Sequence, residues 1–194
     1  METQIKKRAE IDDVAAALKQ EKVVAFPTET VYGLGVIYDS AAAVERLIEA
    51  KQRDMSKRFT LMLSDKEELD EYVYVSNRDQ LIIDKFMPGD ITVILNSKKE
   101  EGTIGIRIPD DAFVRELIRK TGKPLFVTSA NISHRPSTTT TKEVLEQLNG
   151  RIPFVVEGEC GKLQASSVVD LTTDEIKILR QGRITIEMIE EELK

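Results

Sequence analysis

The chain has 194 residues, of which 41% are hydrophobic and 32% charged, and a formal net charge of −6. This suits one globular domain and excludes a protein whose whole surface grips nucleic acid, because such binding rests on neutralising phosphates. The single cysteine, Cys160, and single histidine, His134, exclude an internal disulfide, a cysteine-rich zinc site and any mechanism that needs two histidines.

No apolar run approaches the roughly 18 residues needed to cross a bilayer, and the polar start Met1 to Glu10 does not read as a signal peptide. The expected compartment is the cytoplasm, with no membrane contact. Along the chain, Asp12 is placed to cap a helix running through Glu21, with Val14, Ala15 and Leu18 on its apolar face. Val23 to Phe26 reads as a strand stopped by Pro27. Ser40 can cap a helix whose face is Val44, Leu47 and Ile48. Thr60 to Leu63 reads as a strand, and Arg78 to Met87 as a helix ended by Pro88-Gly89. Ile91 to Leu95 and Ile104 to Ile108 are strands. Asp110 can cap a helix ending near Gly122. Leu125 to Thr128 is apolar, and Thr141 opens a short helix that Gly150 closes. Phe154 to Val156, Ser167 to Leu171 and Ile176 to Leu179 are strand-like, and an amphipathic helix follows Thr185. Strands with interspersed helices indicate an α/β domain spanning residues 1–194. Several strands adjoin without a helix between them, so the sheet is expected to be mixed.

Several segments suit either a ligand site or an ordinary turn or loop that satisfies its own backbone. Phe26 to Gly35 (FPTETVYGLG) brings hydroxyls and a phenol to a turn where glycines permit close approach. Lys51 to Arg58 holds four cations in eight residues; they suit either a solvated helix end or an anion pocket. Arg107 stands in an apolar strand, opposite Ile106 and Ile108, and needs an internal carboxylate or a substrate carboxylate as partner. Thr128 to Ser133 (TSANIS), with Arg135 to Thr138, begins at the carboxyl end of a strand, where α/β sheets commonly bind ligands. Gly158 to Leu163 is half a P-loop at most, and Cys160 reads as an ordinary small residue.

Taken together, the chain resembles YrdC-like threonylcarbamoyl-AMP synthases from about Ala9 to Ile186. The matches fall in the family's order: FPTETVYGLG from Phe26, K-x-R from Lys51, PGDITVIL from Pro88, IGIRIPD from Gly105, TSANIS from Thr128, SSVVDL from Ser166 and ILRQG from Ile178. It departs from the family's usual pattern at Asp54, at Arg58-Phe59 and at His134.

The resemblance implies an open, twisted mixed α/β sheet with flanking helices and a basic concave face. It implies a nucleotidyltransferase that uses L-threonine, bicarbonate or CO2, and ATP with Mg2+. The product, threonylcarbamoyl-AMP, serves threonylcarbamoyladenosine (t6A) formation in tRNAs that read ANN codons. By position, Lys51, Arg53, Ser129 and Asn131 would be catalytic, and Thr30, Tyr32, Arg107 and Ser166 would hold threonine. The nucleotide would meet Lys51, Arg53, Lys57, Ser129, Asn131, Ser137 and Arg180. No metal-ligating residue is expected. Arg107→Met is expected to lower threonine affinity without unfolding the domain. The final segment carries Glu187, Glu190, Glu191 and Glu192, which would repel an RNA backbone. Transfer to tRNA is therefore expected from a separate threonylcarbamoyltransferase complex, with at most weak direct RNA binding. The alternative is an RNA-binding module that uses the same basic face without catalysis.

Overall fold

The computed structural model describes residues 2–52, 54, 59–161 and 164–194. Its strands are β1 (Gln4–Lys6), β2 (Val24–Phe26), β3 (Gly33–Ile37), β4 (Thr60–Met62), β5 (Ile91–Asn96), β6 (Thr103–Arg107), β7 (Leu125–Ser129), β8 (Phe154–Val156), β9 (Ser167–Asp170) and β10 (Lys177–Arg180). Its α-helices are α1 (Ile11–Lys19), α2 (Ala41–Lys51), α3 (Leu69–Tyr72), α4 (Asn77–Phe86), α5 (Ala112–Thr121), α6 (Thr141–Leu148) and α7 (Ile186–Glu192). The strands form one open sheet in the order β1-β8-β2-β3-β7-β4-β6-β5-β9-β10. The pairs β1/β8, β2/β8, β4/β6 and β5/β9 are parallel, and the others are antiparallel, so the sheet is mixed as expected.

Capping chemistry sets the helix starts. Ser40 Oγ accepts from Ala43 N at 3.2 Å and opens α2. Two starts differ from expectation by one or two residues. Helix α1 begins at Ile11 after a short 3-10 turn, which leaves Asp12 inside its first turn. Helix α5 is capped by Asp111 instead of Asp110; the Asp111 carboxylate accepts from Phe113 N and Val114 N at 2.9 and 3.1 Å.

Two strands escaped the sequence reading. Short, polar β1 lies at the sheet's edge. Strand β3 is central, yet its Gly33-Leu34-Gly35 start lacks the β-branched run that marks a strand. Glycine is needed there because the Phe26 ring lies over the strand; a Cβ on Gly35 would stand 2.8 Å from Phe26 Cε1.

The core falls into two clusters. One gathers Val14, Leu18, Leu47 and Val114 from the helices against Phe26 and Leu34. The other packs Ile82, Ile83 and Ile189 with Leu61, Val93 and Ile106. Among the described residues, no helix is long and apolar enough to cross a membrane.

Candidate functional site

Strand alternation divides β6 between two environments. Ile104 and Ile106 enter the core, while Thr103, Gly105 and Arg107 line a cavity of about 340 Å³. Register carries this lining across the sheet. Gly105 pairs with Thr60 on β4 and Ile94 on β5, and Thr60 pairs with Val127 on β7. All of them line the cavity, which has the size of a small-molecule site.

One end of the cavity is cationic. Arg107 Nη2 donates to Glu29 Oε1 at 2.7 Å and to Thr30 Oγ1 at 2.9 Å. Arg180 Nε donates to Ser166 O at 2.9 Å and Nη2 to Ser166 Oγ at 3.1 Å. Ser166 Oγ is also 2.9 Å from Thr92 Oγ1, so Ser166, Thr92 and Arg180 form one network in the cavity wall. Burial, and then the charge of Arg107, lower the Arg180 pKa. Two guanidiniums held close together in a partly dry site favour an anion between them.

The turn after β10 is built on close backbone approach. Ser167 Oγ accepts from Gly182 N at 3.0 Å and donates to Ile184 O at 2.7 Å. A Cβ on Gly182 would meet Ser167 N at 2.5 Å and Ala165 O at 2.7 Å, both backbone atoms. Gly182→Ala should therefore push this turn off Ser166, lowering stability by about 1–3 kcal/mol and weakening ligand binding at Arg180. A variant with unchanged melting temperature and affinity would show that the turn can yield.

The Ser129-Ala130-Asn131 loop closes another side. Its organiser is Lys51, the last residue of α2 and 2% exposed. Lys51 Nζ donates to Ser129 O at 2.6 Å, Asn131 O at 2.8 Å and Asn131 Oδ1 at 3.2 Å. Asn131 Nδ2 in turn donates to Ile132 O and Arg135 O, both at 2.8 Å. Ala130 N bonds Tyr32 O at 2.8 Å, and Tyr32 N bonds Thr138 O at 2.9 Å, which ties the loop to the start of β3.

Of the residues singled out in the sequence, Tyr32, Arg107, Ser129, Ser137, Ser166 and Arg180 line the cavity. Thr30, Lys51 and Asn131 stand behind the wall and support it. The Tyr32 hydroxyl is directed away from the cavity. Its one proton serves the Val156 or the Gly158 carbonyl, at 2.9 and 2.8 Å, and its oxygen pairs with Thr141 Oγ1 at 2.9 Å. Burial pushes its pKa up to about 12. Thr30 is similarly occupied. Thr28 spends its proton on Val31 O, so Thr30 gives its own to Thr28 and offers a lone pair to Arg107. Arg53 and Lys57 lie outside the described residues. Sequence reading missed Glu29, Thr60, Thr92 and Thr103. Alternation along β4 and β6 could have found Thr60 and Thr103.

The family model described as "Telomere recombination", which takes in Sua5, YciO and YrdC, matches residues 16–182. The chain belongs to the Sua5/YciO/YrdC family. A relative from Methanocaldococcus jannaschii named "Putative threonylcarbamoyl-AMP synthase" is 34% identical over 175 residues, covering 87% of this chain and 83% of that protein. The Bacillus subtilis "Threonylcarbamoyl-AMP synthase" is 35% identical over 192 residues, covering 93% of this chain but 56% of the relative. Among solved members of the Sua5/YciO/YrdC family, P. abyssi Sua5 complexed with L-threonine superposes with a TM-score of 0.93 at 30% identity, over 98% of this chain and 61% of that one. E. coli YciO gives 0.86 at 25% identity, over 96% and 99%. The chain thus spans little more than half the length of some relatives and nearly all of others.

Proposed function

We propose that residues 1–194 act as one synthase domain that makes L-threonylcarbamoyl-AMP in the cytoplasm. In this reaction L-threonine, bicarbonate and ATP give threonylcarbamoyl-AMP, pyrophosphate and water. The threonine amine is carboxylated, and the resulting carbamate attacks the α-phosphate of ATP as pyrophosphate leaves. The observation that carries the reading is the cavity with Arg107 and Arg180 converging at one end, in a chain of this family. Guanidiniums suit the carboxylate of an amino acid. The nucleotide would take the side formed by Ser129 and Ser137. Adenylyl transfer relies on positioning and charge stabilisation more than on a protein nucleophile, so a cavity lined by hydroxyls and cations is adequate.

Mg2+ would enter with the nucleotide. The described cavity-lining residues include no carboxylate, so they offer no protein cage for it. Such an ion is commonly held through substrate phosphates. The product would pass to a separate tRNA threonylcarbamoyltransferase complex for t6A formation.

The test is pyrophosphate release by the purified chain with ATP and Mg2+. We expect release to require both threonine and bicarbonate. Equal release without threonine rejects the reaction. No release, together with hairpin RNA binding that persists at physiological salt, favours the RNA-binding module.

A further inference from the structure

Strand β6 carries a glycine that the fold does not require. Gly105 is not among the residues with a positive φ. A Cβ built on it would stand 3.4 Å from Thr92 Cγ2 and 3.8 Å from Thr60 Oγ1, both ordinary contacts. Gly35 differs, because the Phe26 ring excludes a side chain there, and so does Gly182, which lies against backbone. A glycine inside a strand weakens it, and where no protein atom crowds the position it marks a close approach by a ligand. Gly105 is half-buried and lines the cavity.

Thr60 is the partner of Gly105 across the β4/β6 pair and lines the cavity beside it. Its hydroxyl makes no hydrogen bond with a described residue, whereas Thr92 and Ser166 bond each other and Thr28 bonds Thr30. A bare stretch of strand with an unspent hydroxyl at its edge suits a small, flat, oxygen-bearing group.

Sheet order says which group that is. Ser129, on the nucleotide side, belongs to β7, and Arg180 belongs to β10. Strands β4 and β6 lie between those two, so Thr60 and Gly105 stand between the nucleotide side and the guanidinium of Arg180. The carbamate is the group through which the threonine nitrogen is joined to the α-phosphate, so it must lie between the two substrates.

We propose that Gly105 and Thr60 form the carbamate subsite. The threonine amine takes its carboxyl group from bicarbonate with loss of water. Gly105 leaves that planar group room against the strand, and the Thr60 hydroxyl donates to one carbamate oxygen. The other oxygen then bonds to the α-phosphorus as the bond to pyrophosphate breaks. The proposal rests on the synthase reading above and adds a subsite that free threonine does not need.

Two measurements on the full chain separate this subsite from amino-acid binding: calorimetric titration with L-threonine, and pyrophosphate release with threonine, ATP, Mg2+ and bicarbonate all saturating. Thr60→Val keeps the shape and removes the hydroxyl. It should bind threonine as the wild type does, while turnover falls by about tenfold or more, the usual loss with one hydrogen bond to a charged group. Thr60→Ser should restore most of the turnover. Gly105→Val, which suits a strand but fills the floor, should show the same split, with threonine affinity kept and turnover lost. Wild-type turnover in Thr60→Val or Gly105→Val would overturn the proposal. So would a parallel loss of threonine affinity in Thr60→Val, which would place the residue in the amino-acid subsite. Collapse of the fold in Gly105→Ala, whose single Cβ the structure accommodates, would make the glycine structural and overturn its role. A wild-type chain that releases pyrophosphate without threonine or bicarbonate rejects the synthase reading and this subsite with it.

Discussion

Arg107→Met should destabilise the protein by about 3–5 kcal/mol, the usual cost of removing one member of a buried ion pair. The substitution strands Glu29, whose carboxylate is 8% exposed and would keep only the Asp110 amide. It also removes the proton donated to Thr30, at the head of the Thr30–Thr28–Val31 chain of hydrogen bonds. In a domain of this size the melting temperature should fall by roughly 6–20 °C. The expectation drawn from sequence was milder, because Arg107 was given a ligand carboxylate in place of an internal one. The double variant Glu29→Gln/Arg107→Met removes both charges and should recover at least about 1 kcal/mol relative to the sum of the single changes. Melting within a degree of wild type for Arg107→Met, or strict additivity in the double variant, would contradict a buried pair.

Lys51→Met should abolish turnover, by more than about a hundredfold, and lower stability by on the order of 3 kcal/mol, given that hydrogen bonds to charged groups contribute about 1.5–3 kcal/mol each. The methionine keeps the stem but leaves Ser129 O, Asn131 O and Asn131 Oδ1 without the donor that gathers them. Lys51→Arg should fail as a rescue, because a planar fork cannot occupy the point where these acceptors meet. Lys98→Ala should change stability by less than about 0.5 kcal/mol, since its partner Asp70 is 97% exposed and such pairs contribute little. Equal, small effects at both lysines, read by denaturant melts and turnover, would return Lys51 to the solvated helix end that its sequence context allows.

These two residues show what sequence could and could not supply. Membership of the site was legible. Arg107 lies far along the chain from Ser166 and Arg180, yet each stood in a distinctive stretch, and each lines the cavity. Roles were less legible, because a role depends on what lies across the fold. The partner of Arg107 is 78 residues away. Tyr32 looked like a ligand group beside two glycines, but its hydroxyl reaches carbonyls at Val156 and Gly158, over a hundred residues on. Lys51 stood in a cationic run, and its ammonium gathers acceptors of the Ser129–Asn131 loop, about 80 residues on. Local rules succeeded where the physics is local, as at the Ser40 cap and the Gly122 helix end. They failed at β1, where a polar triplet becomes a strand only because Phe154 to Val156 lies alongside it.

That pairing also fixes an order of events during synthesis. Strand β8 lies between β1 and β2, so neither has its lasting neighbour on that side until residues 154–156 have left the ribosome. At about 5–20 residues per second, the wait after β2 emerges is on the order of ten seconds. Over that interval Val24-Ala25-Phe26, fully buried in the finished protein, offers an open edge to any extended chain nearby. Overexpression, which leaves this edge open in many chains at once, should therefore favour inclusion bodies.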